Sequence, residues 1–331
     1  MRYLNINKAI DAWNGIQPIS ERDRERLSRK FTVDFNFNSN HIEGNTLTYG
    51  QTELLLLFGK VVGEAQMKDL EEMKASNVGL KMMQEQAGLK DMPLTQNFIR
   101  QLHKTLIRED YTVHTKMPGG QQGGYVIHAG QYKTRPNSVI TRYGDRFEYA
   151  SPEETPALMA DLVNWYNAEE QSRKLSAIEL AALFHYRYIR IHPFEDGNGR
   201  IARLMVNYIL SRHDYPMIVV RSRDKQNYLE ALHQSDLEVG SAPSLGAHAP
   251  LMVVRWTESG IPHAELCEDS PCNADHTFRH HRIAQRTHWH QQVRSTAAPW
   301  QPQRERIYRS KRQRRRMESA YYSVRMNFRF L

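Results

Sequence analysis

The chain has 331 residues, with 45 Lys and Arg against 37 Asp and Glu and a formal net charge of +8, a length that suits one large domain or two small ones. No apolar run reaches the roughly 18 residues of a membrane span, and residues 1–5 lack a signal-peptide pattern, so we predict a cytoplasmic protein. Both cysteines, Cys267 and Cys272, lie near the C-terminus, which excludes a disulfide framework from the rest of the chain.

Helical periodicity dominates the sequence and predicts a mainly α-helical fold. Two pairs three residues apart, Thr48 with Gln51 and Ser176 with Glu179, are typical of capping boxes that begin helices. Two short runs rich in β-branched residues, 124–128 and 137–141, predict a β-hairpin in which they pair with each other. We predict a short helix that ends at Glu43, and further helices over residues 63–86, 95–107, 156–165, 175–191 and 198–210.

From about residue 238 the sequence loses regular periodicity, and residues 251–331 contain 15 Lys and Arg against 7 Asp and Glu. We predict a disordered basic tail there, and nucleic-acid binding by residues 311–316 is the alternative. A zinc site formed by Cys267, Cys272, His276 and His280 is a further alternative, although the spacing fits no common zinc finger. A shifted reading frame would also explain the abrupt change in composition.

A loop between two predicted helices carries the residues with the most informative chemistry. They are His192, Asp196, Gly197, Asn198, Gly199, Arg200 and Arg203. A histidine near neutrality accepts protons, a carboxylate is a hard ligand for Mg²⁺, and arginines pair with phosphate oxygens. Glycines let backbone approach a phosphate at a helix N-terminus, where unpaired N–H groups favour anions. We therefore predict attack by an oxygen nucleophile on a nucleotide phosphorus, with the histidine removing the proton.

These residues, together with Phe194, match every specified position of H-x-F-x-[DE]-G-N-G-R-x-x-R, and the string resembles the signature of the Fic (filamentation induced by cyclic AMP) family. The resemblance implies a Fic-type helical bundle with a β-hairpin flap. It implies transfer of AMP from ATP to a Tyr, Thr or Ser hydroxyl of a protein, including the chain itself. The roles it implies are general base for His192, Mg²⁺ ligand for Asp196, phosphate cradle for Gly197, Asn198 and Gly199, and phosphate binding for Arg200 and Arg203.

A second motif lies upstream, where Ser39, Glu43 and Gly44 fit [ST]-x-x-x-E-[GN], a pattern similar to the inhibitory helix of many Fic proteins. A carboxylate at a helix C-terminus faces the negative end of the helix dipole and calls for a compensating positive charge. The resemblance implies that Glu43 pairs with Arg203 and displaces the ATP γ-phosphate. In some relatives the same glutamate drives removal of AMP, which we keep as a second hypothesis.

The remaining hypotheses concern the rim of the site. The resemblance assigns Val126, Ile127, Val139 and Ile140 to a flap that docks the target by strand pairing. His128 reads either as a flap surface residue or as a second base. Residues 223–232 resemble the helix that lines the adenine pocket, where Tyr228 is either a nucleotide contact or a packing residue.

The expected organisation is an N-terminal helical region (1–94, with the inhibitory helix at about 35–45), a Fic catalytic core (95–237), and a linker with a basic tail (238–331). ATP, a hydroxyl-bearing protein and a second copy of the chain are the expected partners. The alternative function is a regulatory nucleotide-binding module whose tail contacts nucleic acid.

Overall fold

The computed structural model describes residues 10–11, 13–116, 122–140, 144 and 146–239, and these residues form a mostly helical fold. Its α-helices are α1 (Glu21–Ile42), α2 (Tyr49–Phe58), α3 (Met67–Gly88), α4 (Gln96–Ile107), α5 (Thr155–Ser172), α6 (Ala177–Ile191), α7 (Asn198–Arg212) and α8 (Lys225–Val239). A 3₁₀ turn, Ser222–Asp224, precedes α8. The strands are β1 (Tyr111–Lys116), β2 (Gln122–Ile127), β3 (Ser138–Ile140) and β4 (Arg146–Glu148). The predicted fold class, a helical bundle with a β-hairpin, is confirmed.

Local chemistry begins two of these helices where the sequence predicts. The Thr48 and Gln51 side chains cap each other's backbone at the start of α2, and Ser176 and Glu179 do the same at α6. Such reciprocal caps satisfy N–H groups that a helix N-terminus leaves without partners. The predicted helices over residues 63–86 and 156–165 are present as α3 and α5, and α5 continues beyond its prediction because Tyr166 is buried.

The length of α1 corrects one prediction. The helix that ends beside Glu43 has 22 residues and is therefore not short. It extends toward its N-terminus because Phe31 and Phe35, one turn apart, are both buried in the main core. The core fixes the direction of the helix, and its C-terminal end points into the site described below.

The core is built around α7, which is buried on nearly all sides between α3 and α6. A helix that is buried on nearly all sides lies at the centre of a domain, and the polar side chains that α7 carries there need partners. Its neighbours contribute the large side chains Leu80 and Met83 from α3, Ile99 and Leu102 from α4, Met159 and Tyr166 from α5, and Phe184 and Tyr188 from α6. The N-terminus of α7 is therefore rigidly held, which is what an anion-binding site needs.

Polar contacts hold the C-terminal end of α1 against the 3₁₀ turn and the start of α8. The Asn38 side chain accepts the Ser222 N–H at 2.9 Å, and Lys225 Nζ donates to the Ile42 carbonyl at 2.7 Å. Gly44 follows with a φ of 98°, a left-handed conformation that ends the helix at little cost for glycine. The segment that begins α8 thus fixes the place where α1 stops.

The predicted pairing of residues 124–128 with 137–141 is wrong. In the structure β2 pairs with β1, and β3 pairs with β4, which makes two separate antiparallel hairpins. The connection between them is anchored to the body of the protein, since Gly130 N–H donates to His103 Nδ1 at 2.9 Å and Lys133 N–H donates to the Pro193 carbonyl at 2.9 Å. The two strands cannot fold back on each other while their connection is held inside.

No helix in the part of the chain that the structure describes is long and apolar enough to cross a membrane. The predictions made for residues 240–331, namely the disordered basic tail, nucleic-acid binding and the zinc alternative, lie outside the described residues.

Candidate functional site

His192 lies directly after α6 and caps its C-terminus. Its φ of 50° and ψ of 61° are left-handed, and its N–H donates to the Tyr188 carbonyl at 2.9 Å. A non-glycine residue in this region is held there by its surroundings, and such residues occur often at functional sites. Burial lowers the pKa of His192 to about 4, with the Lys133 charge acting in the same direction. The imidazole is therefore neutral near pH 7 and able to accept a proton.

Residues 192–197, which we call the signature loop, join α6 to α7 and are anchored at their centre by Phe194. This ring is fully buried and stacks on the imidazole of His103 from α4, with centroids 3.8 Å apart. His103 Nδ1 accepts the Gly130 N–H, so its other nitrogen, Nε2, carries the proton and donates to the Asp196 carbonyl at 3.1 Å. Burial lowers the pKa of His103 to about 4, which keeps it in this neutral form.

Asn198 closes the same loop from the other side. Its amide accepts the Phe194 N–H at 3.0 Å and donates to the Phe194 carbonyl at 2.6 Å. The side chain is thus committed to loop structure, and only the backbone of Asn198 is available to a phosphate. Gly197 precedes it with a φ of 78°, which lets the chain turn sharply into α7.

Asp196 is held by three donors. Its Oδ1 accepts the Gly197 N–H at 2.6 Å, while Oδ2 accepts from Tyr111 Oη at 2.8 Å and from Arg200 Nη2 at 3.1 Å. Burial raises the pKa of Asp196, but the Arg200 charge and the hydrogen bonds from Tyr111 and Gly197 outweigh it, so the net shift is downward. The carboxylate is ionised, and its side chain is 43% exposed.

The structure brings Glu43 and Arg203 together, as the motif resemblance predicts. Arg203 Nη2 donates to Glu43 Oε1 at 2.7 Å and to the Ser39 carbonyl at 2.8 Å, and Nε donates to Ser39 Oγ at 3.0 Å. The arginine is buried, whereas the glutamate side chain is 40% exposed. Burial lowers the pKa of Arg203, but the Glu43 carboxylate and Tyr228 together outweigh burial, so the net shift of the pKa is upward. Ser39 and Glu43 together thus bind two of the three guanidinium nitrogens, Nε and Nη2.

Gly199 shows where the carboxylate sits. A Cβ at this position would overlap Glu43 Oε1 and lie 3.0 Å from Arg203 Nη1. The carboxylate of Glu43 therefore lies directly against the backbone of the first turn of α7, where free N–H groups and the helix dipole favour negative charge. A side chain at position 199 would have to push this carboxylate aside.

Tyr228 lies on α8 against the C-terminal end of α1. The residue is buried with Ile42 and Val220, and its hydroxyl lies 2.8 Å from His185 Nε2. It is close enough to Arg203 that each shifts the pKa of the other. In this conformation Tyr228 packs under α1 beside the arginine.

The four residues that the resemblance assigns to a flap are divided between the two hairpins. Val126 on β2 and Val139 on β3 are 40% and 44% exposed, whereas Ile127 is buried at the base of β2. Ile140 ends β3. His128 follows β2, and its Nδ1 lies 2.7 Å from Oδ2 of the exposed Asp110.

Two neighbours of His192 have no signal in the sequence motif. Tyr149 stacks on its imidazole with ring centroids 4.0 Å apart, and Lys133 donates to the Ile191 carbonyl at 3.0 Å. Burial lowers the pKa of Lys133 to about 8. Lys133 ends the stretch Gly130-Gln131-Tyr132-Lys133, which is similar to a G-x-[YF]-[RK] stretch of the Fic family, and this resemblance could have found it. Tyr149 follows a three-residue strand and could not be found by local pattern.

Comparison with known proteins gives consistent results. Residues 93–210 match the Fic/DOC family. The chain is similar to the crystal structure of a Fic domain containing signaling protein from Bacteroides thetaiotaomicron, with 54% identity, a TM-score of 0.68, and coverage of 76% of this chain and 90% of that one.

Two curated relatives are the protein adenylyltransferase fic-1 of Caenorhabditis briggsae and the protein adenylyltransferase Fic of Nematostella vectensis. They are 28% and 29% identical over 64% and 60% of this chain. The chain spans about two fifths of the length of these relatives, at 38% and 42%.

Proposed function

Because this chain belongs to the Fic/DOC family, we propose that it is a protein adenylyltransferase, which moves AMP from ATP onto a Tyr, Thr or Ser hydroxyl of a protein. The observation that carries the proposal is the carboxylate that lies against Gly199 and is bound by Arg203. An anionic group occupies the point where a helix N-terminus and a buried guanidinium converge, and the same point suits a phosphate. The names of the curated relatives support this chemistry.

In the proposed reaction His192 removes the proton from the target hydroxyl. The freed oxygen attacks the α-phosphorus of ATP, a new P–O bond forms, and the bond to the β-phosphate breaks to release pyrophosphate. The imidazole suits this task because burial keeps it unprotonated near pH 7. Arg200 and Arg203 bind phosphate oxygens, and the backbone of residues 197–199 lies against them.

The residues present fit a Mg²⁺ ion at Asp196. The carboxylate is ionised and partly exposed, and it is an oxygen ligand of the kind that Mg²⁺ prefers. Within the described residues no group of three or more His, Cys, Asp or Glu side chains converges on one point, so phosphate oxygens and water would complete the shell. Mg²⁺ bound there would neutralise charge on the phosphates.

We further propose that α1 inhibits this activity. Glu43 holds the guanidinium that a terminal phosphate needs and fills the space over Gly199, so ATP in a productive pose has to displace it. Ser39 adds two contacts to the same arginine, and Gly44 ends the helix at the required point. Residues 95–237 are then the catalytic core, with residues 1–94 its regulatory part and residues 238–331 an extension.

The test is incubation of the whole chain with Mg²⁺ and ATP labelled on the α-phosphate, followed by denaturation. Label that stays on the protein supports the transferase, and the modified hydroxyl is located by mass spectrometry. Label that binds before denaturation and is lost afterwards favours the regulatory nucleotide-binding module instead.

We also propose that the chain forms a homodimer through residues 58–67, which run from the end of α2 to the start of α3. Phe58, Val61, Val62 and Met67 are between 52% and 69% exposed and follow each other closely along the chain, and such an exposed apolar run is typical of an interface. Sedimentation velocity tests this, since Val61→Asp and Met67→Asp should shift the chain toward the monomer while Val78→Asp, an exposed position on α3, should not.

A further inference from the structure

One face of the proposed general base is covered by an aromatic side chain that the signature does not contain. The rings of Tyr149 and His192 are nearly parallel, with centroids 4.0 Å apart and 16° between their planes. The backbone of His192 is itself fixed, because it is left-handed and its N–H is bonded to Tyr188. Backbone and ring plane are thus held by two independent contacts.

Tyr149 is in turn held by the β3–β4 hairpin. It follows β4 directly, and its N–H donates to the Asn137 carbonyl at 3.3 Å. Phe147 of β4 packs edge-on against the Tyr149 ring at 5.2 Å, and the Arg190 guanidinium lies 4.5 Å from the centre of the Phe147 ring. Contacts between aromatic rings therefore link His192, through Tyr149, to Phe147 of this hairpin.

The same hairpin is tied to the signature loop by polar contacts. The Asn137 side chain donates to the Phe194 carbonyl at 3.2 Å and accepts from Lys133 Nζ at 2.8 Å. Asn137 directly precedes β3, in which the Val139 side chain is exposed. Any shift of the hairpin is consequently transmitted to the ring that covers His192.

We propose that Tyr149 is a positioning residue that holds the imidazole of His192 in the orientation required for proton removal and couples it to the β3–β4 hairpin. The inference rests on the proposed function for its kinetic consequence, and on geometry alone for its effect on the ring. A base has to lie within hydrogen-bond reach of the proton it removes, and a displacement of about 1 Å costs on the order of 100-fold in rate. An imidazole free to rotate would lose much of that alignment.

The first experiment follows His192 by NMR titration in the otherwise unchanged chain. Tyr149→Leu uncovers one face of the imidazole, so the pKa of His192 should move from its lowered value toward its usual range near 6.5. Tyr149→Phe keeps the ring and should leave the titration unchanged. The charged groups that act on this imidazole are Lys133, Glu43 and Asp196, and none is altered by either substitution.

The second experiment measures transfer in the Glu43→Gly background. Tyr149→Leu should lower kcat by roughly 10- to 100-fold and leave the KM for ATP within about twofold. The reason is that the Tyr149 ring contacts His192, whereas residues 197–199 and Arg203 form the proposed phosphate site. Tyr149→Phe should retain most of the rate. Tyr125→Leu, which removes an aromatic ring from the other hairpin, is the matched control and should have little effect on kcat.

The outcomes separate the two proposals. A Glu43→Gly parent without transfer activity would contradict the proposed function. In that case the His192 titration would still test whether Tyr149 covers the imidazole. An active parent whose rate and His192 titration are unchanged by Tyr149→Leu overturns the positioning role, and so does equal impairment by leucine and phenylalanine.

Discussion

Glu43→Gly is expected to raise the rate of AMP transfer at subsaturating ATP by about 10- to 100-fold. The perturbed contact is the 2.7 Å hydrogen bond between Glu43 Oε1 and Arg203 Nη2. Hydrogen bonds to charged groups contribute about 1.5–3 kcal/mol, and each 1.4 kcal/mol is about tenfold in affinity. The upper end of that range is discounted because the glutamate is partly exposed and water screens it.

Two further variants separate the effect of the Glu43 charge from the effect of the volume that its side chain fills. Glu43→Gln keeps an amide oxygen near Arg203 and still fills the space over Gly199, so it should give an intermediate rate. Glu25→Gln removes the same charge from the exposed N-terminal part of α1, where the residue pairs with Arg29, and should change the rate less than twofold.

The assay is initial-rate incorporation of α-labelled AMP over a range of ATP concentrations, with thermal unfolding measured in parallel. Glu43→Gly removes the only carboxylate that the described residues place on the buried Arg203 and leaves it the contacts with Ser39 and Tyr228, so the Tm should fall without nucleotide and recover more than in the parent when Mg²⁺ and ATP are added. A folded Glu43→Gly variant that incorporates no more label than the parent would refute the inhibitory role.

Three further outcomes are expected. His192→Ala should abolish labelling in the Glu43→Gly background, and persistent labelling would rule out the base assignment. Gly199→Ala should push the Glu43 carboxylate away from its place beside Arg203 and lower stability by about 1 kcal/mol through the weakened hydrogen bond, and this loss should disappear in the Glu43→Gly background; equal losses in both backgrounds contradict the packing argument. Burial lowers the pKa of His103, His185 and His192 to between about 3 and about 4, so each takes up a proton on unfolding below about pH 6.5. The free energy of unfolding should therefore fall as the pH drops from 6.5 toward 4, by roughly 2 kcal/mol per histidine at pH 5, and denaturant curves that coincide at pH 7.5 and pH 5 would disprove it.

The elements that local chemistry defines are the ones that the sequence predicts well. The capping boxes at Thr48 and Ser176 involve residues three apart, and both helices begin where those pairs place them. The hairpin prediction failed for the complementary reason. Strand propensity marks the runs at residues 124–128 and 137–141, but pairing depends on what lies between them, and there Gly130 is anchored to His103 across 27 positions of the chain.

The site divides in the same way. Because its residues are adjacent in the chain and its motif specific, the sequence by itself determined the signature loop, the helices on either side and the family. Tertiary structure alone decided that Glu43 lies over Gly199, that His103 fastens Phe194 and that Tyr149 covers His192. These contacts join residues far apart in the chain, and they arise because burying α7 brings α1, α4 and the second hairpin to the same end of one helix.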